Sequence, residues 1–462
     1  MNRFHVLMAL AVLACLAAAF NSCNQGPPPE PFTLTWNYDT NGYLETCGCS
    51  AHQLGGLARR KTVIDGLRDK QPLVAIEGAH FIESEGEFQF FKGETVIHAL
   101  NMMGYDALQL GIREAQHGQE GLQGLVELAQ FPCFSTNLTI DGVPWDKPYC
   151  EIEIANNTLV VLGVSQPEAI NFEVPQGIEF SDPKQAIEKQ LKEIGKRADI
   201  LVLCLEGERT WIRDIIPQYE DRIDLFLAGN RNKTTANVEF NADPPALNNW
   251  DHGRFVGVVS VDPKPGGYQV TATTLKLDDD VEDNEEVVAY LDDVYRPQLK
   301  DRFFGSMKVD LEQIYLPPLS CEPCHYDQYR AYTASGHSHA LDTLFQINQL
   351  YNPDCMTCHV VYDAKQDKLH AMNCVICHSN ITDQHLWDAL DETIEILPPE
   401  VPVARHDYEF CAECHNEVQS SNFKAHWPQY VNKIYHGGDM SAAIEAAERM
   451  GLDINEPPPA HE

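Results

Sequence analysis

Ile200-Leu201-Val202-Leu203 is a short apolar run without polar alternation, the signature of a strand buried on both faces. Three more runs read the same way: Phe32-Thr33-Leu34-Thr35-Trp36, Leu73-Val74-Ala75-Ile76 and Ala107-Leu108-Gln109-Leu110. Between them, Gly55 to Arg68, Thr95 to Met103 and Lys184 to Arg197 carry apolar residues at helical spacing. Strands alternating with helices of this length predict an α/β domain over residues 32–277, with a largely internal sheet.

Toward the N-terminus, Arg3 precedes an apolar stretch from Val6 to Phe20, too short to span a bilayer and suited to an export signal. It runs into Asn21-Ser22-Cys23, which resembles a relaxed bacterial lipobox with Cys23 as the acylated residue, the alternative being cleavage by ordinary signal peptidase. Residues 1–23 are thus expected to be a signal peptide, and the Pro-rich residues 24–31 a tether. The expected location is the periplasm or cell surface, with membrane association through the lipid anchor. The formal charge of −36 argues against nucleic acid as a partner and suits basic or metal-bearing redox partner proteins.

Beyond residue 277 the composition shifts. Asp278-Asp279-Asp280-Val281-Glu282-Asp283 opens an acidic linker helix, assigned to residues 278–315. Leu316-Pro317-Pro318-Leu319 then punctuates the chain before four segments of one pattern. These are Cys321-Glu322-Pro323-Cys324-His325, Cys355-Met356-Thr357-Cys358-His359, Cys374-Val375-Ile376-Cys377-His378 and Cys411-Ala412-Glu413-Cys414-His415. Two thiols three positions apart reach the two vinyl groups of one haem, and the adjacent imidazole reaches its iron. The spacing predicts four covalently bound c-type haems with His325, His359, His378 and His415 as proximal ligands. A tail over residues 439–462 carries no assigned chemistry.

The flanking residues Tyr332 to Ala340, Thr343-Leu344, Phe423, Trp427, Ile434, His436 and Gly437 resemble the tetrahaem cytochromes c of the ammonia-oxidation pathway over residues 316–438. That resemblance implies His337 as distal ligand of the third haem, His385 of the first and His436 of the fourth. His370 or His406 would supply the second haem, which the family can leave open. Tyr332 stands where that family usually has Trp, and Ser379, Asn380 and Thr382 replace a Gly-rich turn.

The N-terminal segment has its own resemblance. Tyr38-Asp39-Thr40-Asn41-Gly42, Gly55-Gly56-Leu57-Ala58-Arg59-Arg60, Met103-Gly104-Tyr105-Asp106-Ala107 and Ser135-Thr136-Asn137-Leu138 are similar to the 5'-nucleotidase-like metallophosphoesterases. That family holds two metal ions with carboxylates, imidazoles and an Asn. Position by position, Asp39 is retained, but Asn41 replaces a His and Ala79-His80 replaces the Gly-Asp carboxylate. Gly111-Ile112-Arg113-Glu114 replaces Gly-Asn-His-Glu, and later His positions read Leu205 and Asn230-Arg231-Asn232. The resemblance implies the fold without phosphoesterase chemistry. Cys47, Cys49 and Cys204, with His52 or His80, form a vestigial or alternative site, against the plainer reading of disulfides or buried thiols. Cys133 and Cys150 flank a strand-turn segment and are candidates to pair.

The expectation is a multidomain protein: a four-layer α/β metallophosphoesterase-like domain, then a mainly α, haem-cored tetrahaem cytochrome domain. The expected function is electron transfer between respiratory partners. The alternative is an oxidoreductase acting on a small nitrogen or sulfur species at an open second haem.

Overall fold

The computed structural model describes residues 27–47, 53–170, 172–230, 246–248, 252–304, 322–323, 325–363, 368–374, 408–416 and 423–434. Its contacts divide the chain into two units, residues 1–46 with 54–287, and residues 47–53 with 288–462.

In the first unit, the run Phe32–Asn37 (β1) pairs in parallel with Leu73–Glu77 (β2). Ala107–Gln109 (β3) and Cys133–Phe134 (β4) continue that parallel order. A second sheet is built from Tyr149–Ile154 (β5), Asn157–Ser165 (β6), Ile200–Gly207 (β7), Leu225–Asn230 (β8) and Ala246–Asn248 (β9). The chain then returns to the first sheet with Phe255–Lys264 (β10) and Gly267–Lys276 (β11). The spatial orders are β11-β10-β1-β2-β3-β4 and β9-β8-β7-β6-β5. β10 and β11 run antiparallel to their neighbours, as does β5.

The two sheets face each other. Leu34, Trp36, Val74, Ile76 and Phe134 of one sheet share a buried cluster with Leu159, Val161, Val202, Cys204 and Leu227 of the other. The alternate residues of the second sheet, Val160, Leu162, Leu203, Leu205 and Phe226, pack outward on Ile187 and Ile194 of the helix Pro183–Ile194, and on Ile212 and Ile215. Both faces of β6 and β7 are therefore buried, which explains why their sequences read as unbroken apolar runs. On the first sheet, Val63 and Leu67 of the helix Leu57–Arg68 (α1) cover Val256, Val258 and Leu277. Helix, sheet, sheet and helix make the four-layer α/β domain expected from the sequence.

In the second unit, the described residues form the helical run Leu291–Tyr295 and Arg296–Phe304, helices Tyr326–Thr333, Ala340–Gln346, Pro353–His359, Tyr408–Ala412 and Phe423–Ile434, and a hairpin pairing Val360–Asp363 with Lys368–Ala371. Leu291, Tyr295, Leu299, Leu341, Leu344, Leu350, Phe423 and Trp427 are its buried apolar side chains among the described residues. These helices are consistent with a mainly α unit, but nothing in them shows the haem core expected there.

Candidate functional site

In open α/β sheets, groups that act on ligands gather beyond the carboxyl ends of parallel strands. Here β1, β2, β3, β6 and β7 deliver Asp39, His80, Glu114, Ser165 and Glu206 to such an end, all of them buried. His80 lies at the centre. Its Nδ1 is 3.5 Å from Asp39 Oδ1, and its Nε2 is 2.7 Å from Glu206 Oε1. Nε2 has no well-aligned hydrogen-bond partner, so the Glu206 contact is an ion pair more than a directed bond. Tyr38 stacks on the imidazole with ring centroids 5.2 Å apart. Burial works against a charged His80, but the Glu206 carboxylate and the contacts to Asp39 outweigh it, and its pKa is pushed up to about 9.

The two glutamates also tie the loops together. Both oxygens of Glu206 accept from the backbone N–H of Ile112 at 3.1 Å, and the Ser165 hydroxyl donates to Glu206 Oε2. Glu114 accepts from the N–H groups of Phe81 at 3.0 Å and Gly111 at 3.1 Å. Burial is the main cause that moves the Glu114 carboxyl up to about 7; His80 pulls against it and Glu206 adds to it. Gly111 allows this closeness, because a Cβ there would overlap the Glu206 carboxylate and Ala79.

The backbone frame is unusual. Asp39, Asn41 and His80 have φ of 60°, 53° and 63°, a left-handed region that non-glycine residues seldom occupy. Three hydrogen bonds lock the two loops side by side: Asp39 N–H to Ala79 O, Asn41 N–H to His80 O and Gly42 N–H to Phe81 O, at 3.1, 2.8 and 2.8 Å.

Next to this cluster lies a second buried network. Arg60 of α1 donates to Glu77 Oε2 at 3.0 Å and to Thr40 Oγ1 at 2.8 Å, and the Thr40 hydroxyl donates to Glu77 Oε1. Burial works to lower the Arg60 pKa, but the Glu77 charge outweighs that and raises it, so the guanidinium stays charged.

Of the residues singled out by sequence, Asp39, His80 and Glu114 come together. Cys204 does not join them: it faces the core between the sheets, near Cys150, and burial raises its thiol well above its ordinary value. Cys133 and Cys150 are free thiols, both pushed up to about 12 by burial first and then by neighbouring charge. Cys47 sits in the short strand Thr46–Cys47, while Cys49 and His52 lie outside the described residues. Glu206, Ser165, Arg60 and Glu77 were not singled out. The signal for the two glutamates was available, since each is a carboxylate ending an apolar buried strand.

In the second unit, the His337 and His415 rings lie 6.0 Å apart, and His415 stacks on Phe423 at 4.3 Å. His359 Nδ1 is 2.7 Å from Ala340 O, and the Cys358 thiol contacts Cys414 O at 3.9 Å. Burial, then His337 and His359, push His415 down to about 4. Cys355, Cys374 and Cys411 are half-buried, and His325 stands at the N-cap position of the helix Tyr326–Thr333. His370 lies on the hairpin strand Lys368–Ala371. Cys23, Cys321, Cys324, Cys377, His378, His385, His406 and His436 lie outside the described residues. Among the described residues, no group of three or more His, Cys, Asp and Glu side chains is arranged to hold a metal ion.

No family model matches the chain. A 5'-nucleotidase of Bos taurus is 25% identical over 253 residues, covering 50% of this chain and 44% of its own length. A snake venom 5'-nucleotidase of Gloydius brevicauda is 22% identical over 291 residues, covering 57% of this chain and 49% of its own. The chain thus spans about half the length of the curated relatives it matches. Among solved structures, the sulfate thiohydrolase SoxB of Thermus thermophilus in complex with glycerol superposes with a TM-score of 0.51 at 15% identity, over 63% of each chain, a likeness of fold alone. About half of this chain is a 5'-nucleotidase-like metallophosphoesterase domain.

These matches correct the functional expectation drawn from the cysteine motifs. The relatives are nucleotidases of a metallophosphoesterase fold, which works with divalent metal ions and not with covalent haem. Electron transfer by four covalent haems is therefore withdrawn as the chain's function, and so is turnover of a small nitrogen or sulfur species at an open haem. A Cys-x-x-Cys-His segment presents two thiols and an imidazole, a donor set that zinc or a disulfide also uses. The spacing names donors; it does not name an occupant.

The divalent metals of this fold do not fit the site as it stands. Ile112, fully buried, and Arg113 stand where the resemblance implies an Asn and a His ligand, and neither offers a lone pair, while Leu205, at a further implied ligand position, packs outward on the helix layer.

Proposed function

We propose that the first unit is a phosphoesterase-fold domain that has lost metal-dependent hydrolysis and serves as a binding or scaffolding module outside the cytoplasm. The observation that carries this reading is Ile112 and Arg113 at positions that the resemblance gives to metal ligands, since a metal needs lone pairs from nitrogen, oxygen or sulfur and neither side chain offers one. Without two fixed cations nothing clamps a phosphate or lowers the pKa of an attacking water. The full chain, incubated with AMP or p-nitrophenyl phosphate and added Mn²⁺, Zn²⁺ or Ca²⁺, should show no turnover above the buffer control. Turnover that follows protein concentration and is abolished by EDTA overturns the reading.

Placement outside the cytoplasm rests on the apolar stretch Val6 to Phe20 and on Cys23 as a lipid attachment site. A match to a venom nucleotidase agrees with it. Radiolabelled palmitate should enter the wild-type chain expressed in a bacterium and be lost from Cys23→Ala; equal labelling of both removes the anchor from the proposal.

A further inference from the structure

We propose that the His80 side chain, bracketed by Asp39 and Glu206, takes the place of a metal ion as the resident cation of this site. The inference rests on the reading that the domain does not use metals for hydrolysis, and it says what replaced them. It stands on geometry. A metal in such a site neutralises converging carboxylates, and here three carboxyl groups, Asp39, Glu114 and Glu206, converge with no metal-binding arrangement among the described residues. His80 meets Glu206 at 2.7 Å and Asp39 at 3.5 Å, one carboxylate on each ring nitrogen. An imidazole with a carboxylate close to each nitrogen is favoured by charge in its doubly protonated form, and then has no lone pair for a metal.

The remaining contacts fit a fixed cation. Tyr38 lies over the ring at 5.2 Å, a placement in which an aromatic face attracts positive charge. The oxygens of Glu206 and Glu114 are taken up inside the protein, by the Ser165 hydroxyl and by the backbone N–H groups of Phe81, Gly111 and Ile112. His80 also holds φ of 63°, and its carbonyl accepts from Asn41 N–H, so the ring is fixed by its backbone as well as by its charges.

The test uses the full chain and Mn²⁺ as probe, reading amide hydrogen exchange of the peptide covering residues 200–207 at pH 7.5. In the wild type, neither EDTA nor 1 mM Mn²⁺ should change protection. In His80→Gln, which leaves the carboxylates without their cation, protection should fall, and Mn²⁺ should restore it at least tenfold. His80→Gln/Glu206→Gln should lose the Mn²⁺ effect. Loss of wild-type protection in EDTA overturns the proposal, as does a Mn²⁺ response that is the same in wild type and His80→Gln. Should His80→Gln not fold, the wild-type EDTA arm decides alone. Hydrolysis of p-nitrophenyl phosphate on the same samples separates the two readings. A wild type that is sensitive to EDTA but inert toward the ester sinks the internal cation and leaves the non-hydrolysing domain standing.

Discussion

Raising pH should loosen the first unit in a window set by His80. Its pKa rises from an ordinary 6.5 to about 9 in the fold. At 1.36 kcal/mol per tenfold change in proton affinity, the linked stabilisation is ~3 kcal/mol. The sign follows from the direction: the folded state holds this proton more tightly than the unfolded chain. The contribution is therefore complete below pH 6.5, declines as pH rises through about 9, and is absent well above it. Between pH 7 and 9.5 the loss comes to roughly 2.4 kcal/mol, about 60-fold in the opening equilibrium.

Because the chain has two units, a single melting curve is a poor readout. Hydrogen exchange of residues 200–207, corrected for the intrinsic pH dependence of amide chemistry, reports the unit that contains His80. Wild-type protection should fall by about 60-fold across that window. His80→Gln, already weakened at pH 7 by roughly 3 kcal/mol through its uncompensated carboxylates, should stay nearly flat. Equal slopes for the two proteins from pH 7 to 9.5 would refute the assignment of the charge to His80.

Glu114 controls the acidic side: its folded pKa of about 7 lies above the ordinary 4.5, so stability is lost as pH rises from 4.5 through 7, and Glu114→Gln should be more stable than wild type at pH 8 but not at pH 5, by the same exchange measurement. Arg60→Met strands the buried Glu77 and should cost ~3–5 kcal/mol, most of it recovered in Arg60→Met/Glu77→Leu; urea denaturation of the three proteins checks it. Gly111→Ala pushes a methyl into Glu206 and Ala79 and should cost at least ~2 kcal/mol, read as a shifted urea midpoint. Cys133, Cys150 and Cys204, buried thiols with raised pKa values, should resist alkylation at pH 8 until the first unit is unfolded, which peptide mass spectrometry resolves.

The strands were legible because burial on both faces writes itself as an apolar run; Ile200 to Leu203 is the clearest case. The helix Glu87–Met103 was legible only from Thr95 onward. Its first half carries Lys92 and Gly93 on the buried side, and Gly93 is there because a Cβ would press into Ile82, a contact that no helical periodicity announces. Half of the site could be read because Asp39, His80 and Glu114 stand within recognisable motifs. Glu206 announced itself only as a carboxylate ending an apolar strand; its pairing with His80 comes from the second sheet meeting the first, a juxtaposition of residues distant in sequence. The cysteine motifs of the second unit show the opposite error: side chains that were easy to find were given a function that the relatives do not share.

The shape of this site has a mechanical explanation. Residues held at positive φ cost on the order of 1–3 kcal/mol each, less for Asp and Asn, so Asp39, Asn41 and His80 need an opposing force. In the present structure that force is backbone: the three hydrogen bonds between residues 39–42 and 79–81, continued from the parallel pairing of β1 with β2. None of those bonds depends on which side chain stands at Asn41, Ala79 or His80. Side chains at the mouth of the site can therefore change while the loops keep their course, provided the charge that converges there stays balanced. Among the described residues His80 supplies the cation in contact with both Asp39 and Glu206, so a neutral replacement at that position should disturb the domain more than an exchange at Asn41, and comparing the urea midpoints of His80→Gln and Asn41→Ala tests that ordering.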